Sequence, residues 1–266
     1  MHPTAPNVIS KKNRALVLAH YHRNGKLRTD TINFLNDCQN EFGRIIVIST
    51  NLVENERNKV PSFVELHIRK NIGYDFFSYR LGISHLFKNT NDGYAAEKKI
   101  SQVTIMNTSF VIFNSKKFLQ NYFNEVVEKI DFYGLTMYTG HGLYPHLQSF
   151  LLTFNDLVLS DKKFWRWWDE MTPHDDKAQV IQKYEVGLTE LLVKLGYRPK
   201  SLFPVNPYAK YADPMHGSFM EIFEKYSILK IGLFVTNPFK LSLRSINLLI
   251  KENEQFKNLI VEGMDN

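Results

Sequence analysis

Short apolar runs and amphipathic segments alternate along the chain. Residues 15–19 and 44–49 are apolar runs that predict buried strands, and the apolar positions within residues 27–38 predict a helix between them. A strand, a helix and a strand within about 35 residues make a βαβ unit, whose parallel strands need helices on both faces. The chain is therefore predicted to begin as an α/β domain.

The alternation continues beyond this unit. Further strands are predicted at residues 63–68, at 103–106 with a short continuation at 111–113, and at 147–154, and further helices at residues 75–87, 115–130 and 178–195. Residues 133–142 are rich in turn formers, and four prolines make residues 198–214 irregular before two weaker helices. We predict a mixed, mostly parallel sheet flanked by helices in one domain over residues 1–200, with residues 201–266 as a helical C-terminal extension packed on it.

Composition limits the class of protein. The chain has 266 residues, of which 44% are hydrophobic and 23% charged, as in ordinary globular proteins. A lone cysteine, Cys38, excludes an intrachain disulfide and a thiolate zinc site, so a reducing compartment is expected. The N-terminus lacks a signal-peptide pattern, and no apolar run approaches the ~20 residues that span a bilayer. A cytoplasmic location is expected, including the inner face of the cytoplasmic membrane.

The positive charge is concentrated near the N-terminus. The chain carries 33 basic and 27 acidic residues, a net charge of +6, and residues 1–28 contain six basic residues and no acidic one. This segment surrounds the first predicted strand and could face a phosphate, a nucleic acid or an anionic membrane. A solvated basic arm is the alternative.

Several common catalytic signatures are absent. The sequence has no Gly-x-Gly-x-x-Gly, no Walker loop, no His-Glu-x-x-His and no Gly-x-Ser-x-Gly, which disfavours dinucleotide oxidoreductases, P-loop enzymes and serine hydrolases. Asp-x-Asp is absent as well. Open α/β sheets bind ligands at the carboxyl ends of their strands, so the loops that begin at His20, Ser49, Lys70 and Asn107 are candidate ligand contacts.

Four segments carry a family resemblance. They are residues 71–80 (Asn-Ile-Gly-Tyr-Asp-Phe-Phe-Ser-Tyr-Arg), 106–109 (Met-Asn-Thr-Ser), 146–149 (His-Leu-Gln-Ser) and 184–189 (Tyr-Glu-Val-Gly-Leu-Thr). With these segments in this order, the chain resembles the rhamnan-synthesis protein F family of bacterial polysaccharide glycosyltransferases. The resemblance implies a GT-A-like fold, a nucleotide-sugar donor, most often dTDP-L-rhamnose, and a growing lipid-linked cell-surface glycan as acceptor. It also implies peripheral membrane association and no nucleic-acid partner.

The exit of the first strand is expected to contact the donor. A nucleotide-sugar transferase needs groups there that hold the base, and His20, Tyr21 and Arg23 offer stacking rings and a cation. A generic polar loop is the alternative.

A second donor segment follows from the resemblance. Gly73 lies at a loop-to-helix junction, where backbone can approach a ligand closely, and Asp75 lies near the helix N-terminus. Similarity to the Asn-x-Gly segment of GT-A transferases makes Asp75, Ser78 and Arg80 donor contacts. The alternatives are that Asp75 is only an N-cap and that Arg80 forms a surface ion pair.

The fourth strand ends in Asn107-Thr108-Ser109, where GT-A enzymes normally carry Asp-x-Asp to hold a divalent metal. Thr108 occupies the position of the middle carboxylate, so Mg²⁺ or Mn²⁺ lacks its natural oxygen ligand. No metal site and no firm cofactor are therefore predicted, with a bound Mg²⁺ or Mn²⁺ as the alternative, and Asn107 and Ser109 are expected to contact the donor phosphates. A plain strand-end turn is the alternative.

The resemblance also suggests a catalytic carboxylate. Inverting GT-A enzymes place their base in a Glu-Asp-x-Asp helix start that precedes a terminal Gly-Tyr, and here Glu185 precedes Gly196-Tyr197. Glu185 is the predicted base, with a solvent-exposed helical glutamate as the alternative. His146 and Gln148, two apart on a predicted strand, share a face and are predicted to orient acceptor or sugar hydroxyls.

The sequence thus predicts an inverting rhamnosyltransferase that moves L-rhamnose from dTDP-L-rhamnose to a growing cell-surface polysaccharide of the O-antigen or rhamnan type. Two other classes stay open. One is a basic peripheral protein that binds nucleic acid or anionic membrane through residues 11–28. The other is a transferase relative without activity.

Overall fold

The computed structural model of the chain describes residues 10–87, 100–124, 130–140, 142–206 and 211–265. The strands are β1 (Arg14–His20), β2 (Arg44–Ser49), β3 (Glu65–Ile68), β4 (Gln102–Asn107), β5 (Phe110–Ile112), β6 (Phe132–Gly134), β7 (Met137–Tyr138), β8 (His146–Leu147), β9 (Leu151–Asn155), β10 (Pro199–Ser201) and β11 (Ile228–Lys230). The α-helices are α1 (Thr29–Cys38), α2 (Glu54–Arg57), α3 (Tyr74–Phe87), α4 (Ser115–Asn124), α5 (Asp156–Leu159), α6 (Lys162–Asp169), α7 (Lys177–Val180), α8 (Gly187–Lys194), α9 (Pro214–Gly217), α10 (Phe219–Tyr226), α11 (Gly232–Val235), α12 (Arg244–Glu252) and α13 (Glu254–Met264). A 3₁₀ turn (Lys11–Asn13) precedes β1, and a π-helical segment (Ile181–Val186) joins α7 to α8.

Seven of these strands form one mixed sheet in the order β10, β6, β9, β4, β1, β2, β3. Neighbouring strands are parallel except at β9, which runs antiparallel to both β4 and β6. The register pairs His20 with Ser49 and Ala19 with Asn107, so β1, β2 and β4 end at one edge of the sheet. The predicted α/β class, a mixed and mostly parallel sheet flanked by helices, is confirmed.

Both faces of the sheet are covered, as the alternation of side chains along a strand requires. Leu16 and Leu18 belong to a core shared with α1 and α4, whereas Val17 belongs to a second core shared with α3, α6 and the π-helical segment. Helix α3 approaches β1 closely at Gly82, where a Cβ atom would lie 2.2 Å from Val17 Cγ1. A larger residue at position 82 would therefore push α3 away from the sheet.

The residues after β10 are mostly helical and pack at the end of β5. Strand β11 pairs antiparallel with β5, and both strands share a third core with α11, α12 and α13. The predicted division between residues 200 and 201 falls within β10 and stays a prediction. In the part of the chain that the structure describes, no helix has the length and apolar content needed to cross a membrane.

Three predicted segments differ from the structure. Residues 133–142, predicted as turns, contain β7 and most of β6, because the pairing of β6 with β9 and β10 and of β7 with β8 overrides local turn preference. The strand predicted at 147–154 is divided into β8, which pairs with β7, and β9, which joins the main sheet. The continuation predicted at 111–113 is β5, which leaves the main sheet to pair with β11. Residues 125–129 of the helix predicted at 115–130 lie outside the described residues.

A buried ion pair ties the loop after β1 to the loop after β4. Arg28 donates from Nε and Nη2 to the two carboxylate oxygens of Asp30, at 2.9 and 3.1 Å. The same guanidinium donates to the carbonyl oxygens of Thr108 and Phe110, at 2.9 and 2.7 Å. Asp30 also accepts from the backbone N–H of Ile112 at 2.9 Å. This network fixes where β4 ends, and hence where Asn107 lies.

Candidate functional site

A cavity of about 470 Å³ opens at the carboxyl edge of the sheet. Its walls come from the ends of β1, β2 and β3, the start of α3 and the loop before α7: His20, Tyr21, Thr50, Arg69, Asn71, Gly73, Tyr74, Asp75, Ser78, Asp175 and Lys177. The hydroxyl of Thr50 is buried and has no hydrogen-bond partner among the described residues. Such a group suits a polar ligand atom, and this edge is where open α/β sheets bind ligands.

Arg69 holds the loop between β3 and α3. Its Nη1 donates to the carbonyl oxygens of Lys70 and Ile72 at 2.7 and 2.6 Å, and its Nη2 donates to that of Tyr74 at 2.5 Å. Its Nε donates to Ser78 Oγ at 2.9 Å. Ser78, a predicted donor contact, therefore lines the cavity while its hydroxyl accepts a bond from Arg69.

Two consecutive residues of this loop have left-handed backbone. Gly73 has φ +74° and Tyr74 has φ +52°; glycine adopts this region readily and tyrosine rarely does. Tyr74 is held by Arg69 and by its own hydroxyl, which donates to the carbonyl oxygen of Asp175 at 3.1 Å. A Cβ at Gly73 would lie 3.0 Å from Pro173 Cβ. The loops before α3 and α7 therefore pack against each other beside the cavity.

Asp75 and Asn107 meet between α3 and β4. Asn107 Nδ2 donates to Asp75 Oδ2 at 2.8 Å, and Asn107 Oδ1 accepts from the backbone N–H of Ser109 at 3.0 Å. Helix α3 begins at Tyr74, so Asp75 lies in its first turn and not at the N-cap position. The structure thus brings together the predicted donor residues Asp75, Asn107 and Ser109.

Glu185 lies in the π-helical segment and accepts three hydrogen bonds. His146 Nε2 lies 3.2 Å from Oε1, the backbone N–H of Ser149 donates to Oε2 at 3.2 Å, and the Ser149 hydroxyl donates to the same oxygen. Tyr79 of α3 donates its hydroxyl to the carbonyl oxygen of Ser149 at 3.0 Å. With 19% of its side chain exposed, Glu185 is not a freely solvated surface glutamate, although it is not among the residues that line the cavity.

The two carboxyl groups have pKa values displaced in opposite directions. Burial raises the pKa of Asp75, and the charge of Glu185 adds to the rise, whereas the hydrogen bond from Asn107 opposes it. Burial also acts to raise the pKa of Glu185, but hydrogen bonds from His146 and Ser149 outweigh it and hold that pKa below its usual value. Neighbouring carboxyls with separated pKa values are typical of proton-transfer sites.

The loop after β1 offers fewer unengaged polar side-chain atoms to a ligand than its sequence predicts. His20 Nε2 donates to the carbonyl oxygen of Lys26 at 3.1 Å, and Nδ1 accepts from the Ser49 hydroxyl at 2.9 Å. Burial lowers the pKa of His20 to about 4, so the ring is neutral at pH 7. Tyr21 is 42% exposed and lines the cavity, whereas Arg23 is exposed and does not. Of the two rings predicted to contact the donor, that of Tyr21 is accessible and that of His20 is buried.

The strand end does not fit a divalent metal. The Thr108 hydroxyl accepts from the backbone N–H of Tyr21 at 3.3 Å and donates to its carbonyl oxygen at 3.1 Å. Both amide atoms of Asn107 are hydrogen-bonded, which leaves Asp75 as the carboxylate at this point. No group of three or more His, Cys, Asp or Glu among the described residues could hold a metal ion.

Arg80 lies outside the cavity lining. Its Nη1 donates to the carbonyl oxygen of Met171 and its Nη2 to that of Asp169, each at 3.0 Å. These carbonyls are at the C-terminal end of α6, where a cation is favourable. The geometry gives Arg80 a role in joining α3 to α6, and its predicted contact with the donor stays a prediction.

His146 and Gln148 have separate environments. Strand β8 ends at Leu147, so the single strand predicted to carry both side chains is wrong. His146 lies against Glu185, whereas Gln148 Oε1 accepts from the Thr136 hydroxyl at 2.7 Å. His146 therefore lies beside the predicted base, whereas Gln148 lies against Thr136, the residue before β7.

Four residues around the site have no individual signal in the sequence. Tyr79 and Ser149 lie within the family-like segments at 71–80 and 146–149, so membership of these segments is the signal that could have identified them. Arg69 lies two residues before such a segment. Lys177 is an exposed lysine at the start of the short helix α7, and only the fold places it at the cavity.

Comparison with known families matches the resemblance found in the sequence. The model of the family described as Rhamnan synthesis protein F matches residues 45–266. The chain therefore belongs to the rhamnan synthesis protein F family.

Two curated relatives are similar over part of the chain. The uncharacterized protein y4gN of Sinorhizobium fredii (strain NBRC 101917 / NGR234) is 31% identical over 166 residues, which is 61% of this chain and 41% of that protein. The virulence protein VirA of Vibrio anguillarum (strain ATCC 68554 / 775) is 30% identical over 142 residues, which is 52% of this chain and 42% of VirA. The chain thus spans about two fifths of the length of the curated relatives it matches.

Two solved glycosyltransferase structures are among those similar in backbone. The mannosyltransferase PcManGT from Pyrobaculum calidifontis, in complex with GDP-Man and Mn²⁺, has a TM-score of 0.42 and 11% identity, covering 95% of this chain and 84% of that chain. The apo-form glycosyltransferase GlyE of Streptococcus pneumoniae TIGR4 has a TM-score of 0.42 and 13% identity, covering 92% of this chain and 62% of that chain.

Proposed function

We propose that this chain is a glycosyltransferase of GT-A type that binds a nucleotide-sugar donor in the cavity at the carboxyl edge of the sheet. In its finer form the proposal is an inverting rhamnosyltransferase that takes dTDP-L-rhamnose. The acceptor would be a growing, lipid-linked cell-surface polysaccharide at the cytoplasmic face of the membrane. The observation that carries the proposal is the position of Asp75, which lines the cavity, accepts a hydrogen bond from Asn107 and lies within electrostatic reach of Glu185.

The chemistry requires a proton acceptor and stabilisation of the departing diphosphate. Glu185 takes the proton of an acceptor hydroxyl, the oxygen bonds to the anomeric carbon, and the bond from that carbon to the diphosphate breaks. Negative charge grows on the nucleoside diphosphate as it leaves. The exposed ammonium of Lys177 lies on the cavity wall and would stabilise that charge.

A donor panel tests the proposed ligand class. Thermal melts with dTDP-L-rhamnose, other dTDP sugars, UDP sugars and GDP sugars would report which nucleotide and sugar bind. A donor at 100-fold its dissociation constant stabilises the fold by roughly 2.7 kcal/mol. Stabilisation by dTDP sugars and transfer to an acceptor glycan support the proposal, and the absence of stabilisation by every nucleotide sugar contradicts it.

Asp75→Ala is expected to lower donor affinity by about 10- to 100-fold, because a hydrogen bond to a charged group contributes ~1.5–3 kcal/mol. The effect on folding should be smaller, since among the described residues the side-chain hydrogen bond that is lost is the one from Asn107. Calorimetric titration beside a thermal melt separates the two quantities.

The control is Asp161→Ala. Asp161 caps α6 by accepting from the backbone N–H of Lys163 at 2.7 Å and does not line the cavity. Asp161 also accepts from the Tyr197 hydroxyl at 3.0 Å. Loss of the cap and of this bond should lower stability by ~1–2 kcal/mol with donor affinity intact. Wild-type affinity in Asp75→Ala would remove Asp75 from the donor site.

Donor binding is expected to persist in EDTA, because the hydroxyl of Thr108 and the amide of Asn107 are engaged within the protein. The dissociation constant measured with EDTA should equal that measured with added Mg²⁺ or Mn²⁺. A strict metal requirement for binding or turnover would show that other ligands complete a metal site.

The alternative of a basic peripheral protein loses support from the fold. Lys11 and Arg14 both pair with Glu41, at 2.5 and 3.4 Å, and Arg28 is buried against Asp30. Half of the six basic residues near the N-terminus are therefore engaged with acidic side chains. A transferase relative without activity is distinguished by donor binding without turnover.

A further inference from the structure

His146 lies between two oxygen atoms. Its Nδ1 is 2.8 Å from the carbonyl oxygen of Tyr144, and its Nε2 is 3.2 Å from Glu185 Oε1. The His146 side chain is 2% exposed, so bulk water cannot replace either partner. The two contacts decide how many protons the ring carries.

A carbonyl oxygen can only accept a hydrogen bond, so Nδ1 must carry a proton. Nε2 then shares one further proton with Glu185. Glu185 Oε2 accepts both the backbone N–H and the hydroxyl of Ser149, and these two donors stabilise the ionised carboxylate. The shared proton therefore belongs on the ring, which makes His146 an imidazolium.

We propose that His146 is a positioning residue whose doubly protonated ring donates to both Tyr144 and Glu185 and thereby fixes the orientation of the Glu185 carboxylate. Its importance for transfer rests on the proposed function, whereas its protonation state does not.

The surroundings of the ring agree with a cation. The ring of Tyr138 lies 5.4 Å from that of His146, within the range at which an aromatic face attracts a cation. Burial acts to lower the pKa of His146, but the hydrogen bond and charge of Glu185 and the carbonyl of Tyr144 outweigh it and raise that pKa. Among the described residues, the other titratable groups near this pair include Tyr138, whose ring faces His146, Asp75, which interacts electrostatically with Glu185, and Tyr79, whose hydroxyl donates to the carbonyl oxygen of Ser149.

Nitrogen NMR on histidine-labelled protein at pH 7.5 tests the protonation state without any substrate. Both ring nitrogens of His146 should be protonated, and the signal is assigned by its loss in His146→Asn. His20 and His22 are internal controls. Nδ1 of His20 accepts from Ser49, and Nδ1 of His22 accepts from the backbone N–H of Asn24 at 3.1 Å, so both rings should be neutral.

Glu185→Gln provides the matched variant. Its amide oxygen can accept from Ser149 while its NH₂ group donates to Nε2 of His146, which requires that nitrogen to be unprotonated. His146 should therefore become neutral in this variant. A neutral His146 in the wild-type protein, or an imidazolium that persists in Glu185→Gln, would overturn the proposal.

Kinetics test the positioning role. The amide NH₂ of His146→Gln can take the place of Nε2 and donate to Glu185, whereas the shorter side chain of His146→Asn does not reach that carboxylate. The kcat should therefore fall more in His146→Asn, with the donor KM unchanged in both. Without the imidazolium the pKa of Glu185 rises, so activity at the acid side should be lost at a higher pH. Wild-type kcat and pH profile in His146→Asn would contradict the role. A doubly protonated ring in a protein that transfers no sugar would instead contradict the proposed function alone.

Discussion

Glu185→Gln is expected to lower kcat by roughly 10²- to 10⁴-fold, the usual contribution of a positioned general base. Glutamine keeps the size of the side chain and its hydrogen bond to Ser149 but cannot take a proton. The base acts on the acceptor in the transition state and does not hold the donor, so the donor KM should stay close to wild type. The melting point should fall, because the variant also loses the ion pair with His146. Steady-state kinetics with varied donor, beside a melting curve, would measure all three quantities.

Asp75→Asn is the comparison that assigns the proton acceptor. Asp75 lines the cavity, and burial raises its pKa above the usual range, so it is a second candidate for the proton acceptor. If Glu185→Gln keeps near wild-type turnover while Asp75→Asn loses it, Asp75 is the base, and Glu185 is a structural anion. If both variants turn over normally, neither carboxyl takes the proton.

Asp30→Asn is expected to lower the free energy of unfolding by about 3–5 kcal/mol, because it leaves the Arg28 guanidinium buried without its anion. The side chains of Arg28 and Asp30 are 3% and 1% exposed, and Asp30 also accepts from the backbone of Ile112. Urea unfolding followed by tryptophan fluorescence and by circular dichroism would give the change, provided that the two signals coincide.

Glu65→Gln is the matched control for that measurement. Glu65 pairs with Arg44 at 2.6 Å, but the two side chains are 42% and 36% exposed, so the pair should contribute no more than ~1 kcal/mol. Equal losses in Asp30→Asn and Glu65→Gln would mean that burial does not make the Arg28–Asp30 pair important. A loss confined to Asp30→Asn would identify the loop after β1 as a stability determinant of the site.

The central sheet was predictable because its strands are almost uninterrupted apolar runs, separated by segments with a helical pattern of apolar residues. Strands β1, β2 and β4 each bury nearly all of their residues, which gives a signal within five or six positions. Strand β6 has three residues and includes Gly134, and its pairing with β9 and β10 is contributed by residues far away in sequence. No local pattern carries that information.

The candidate site shows the same division between local and distant information. Asp75, Asn107 and Glu185 could be selected one at a time from ordered sequence segments. The contacts between the site residues could not be predicted, since Asp75 and Asn107 are 32 positions apart, and His146 and Glu185 are 39. The side-chain environment that sets each pKa exists only after the sheet has brought these segments together.

The π-helical segment allows buried residues to follow one another at a spacing of four. Val180, Tyr184, Leu188 and Leu192 recur at every fourth position, and all four are buried in one core. In a regular α-helix each step of four residues turns about 40° beyond a full circle, so such a row would drift off the core within three steps. The wider π turn absorbs part of this drift. A single-residue deletion within the segment would restore regular α-helical winding. Either the apolar row would then leave the core or Glu185 would move away from His146. The number of residues in this segment is therefore constrained by both sets of contacts.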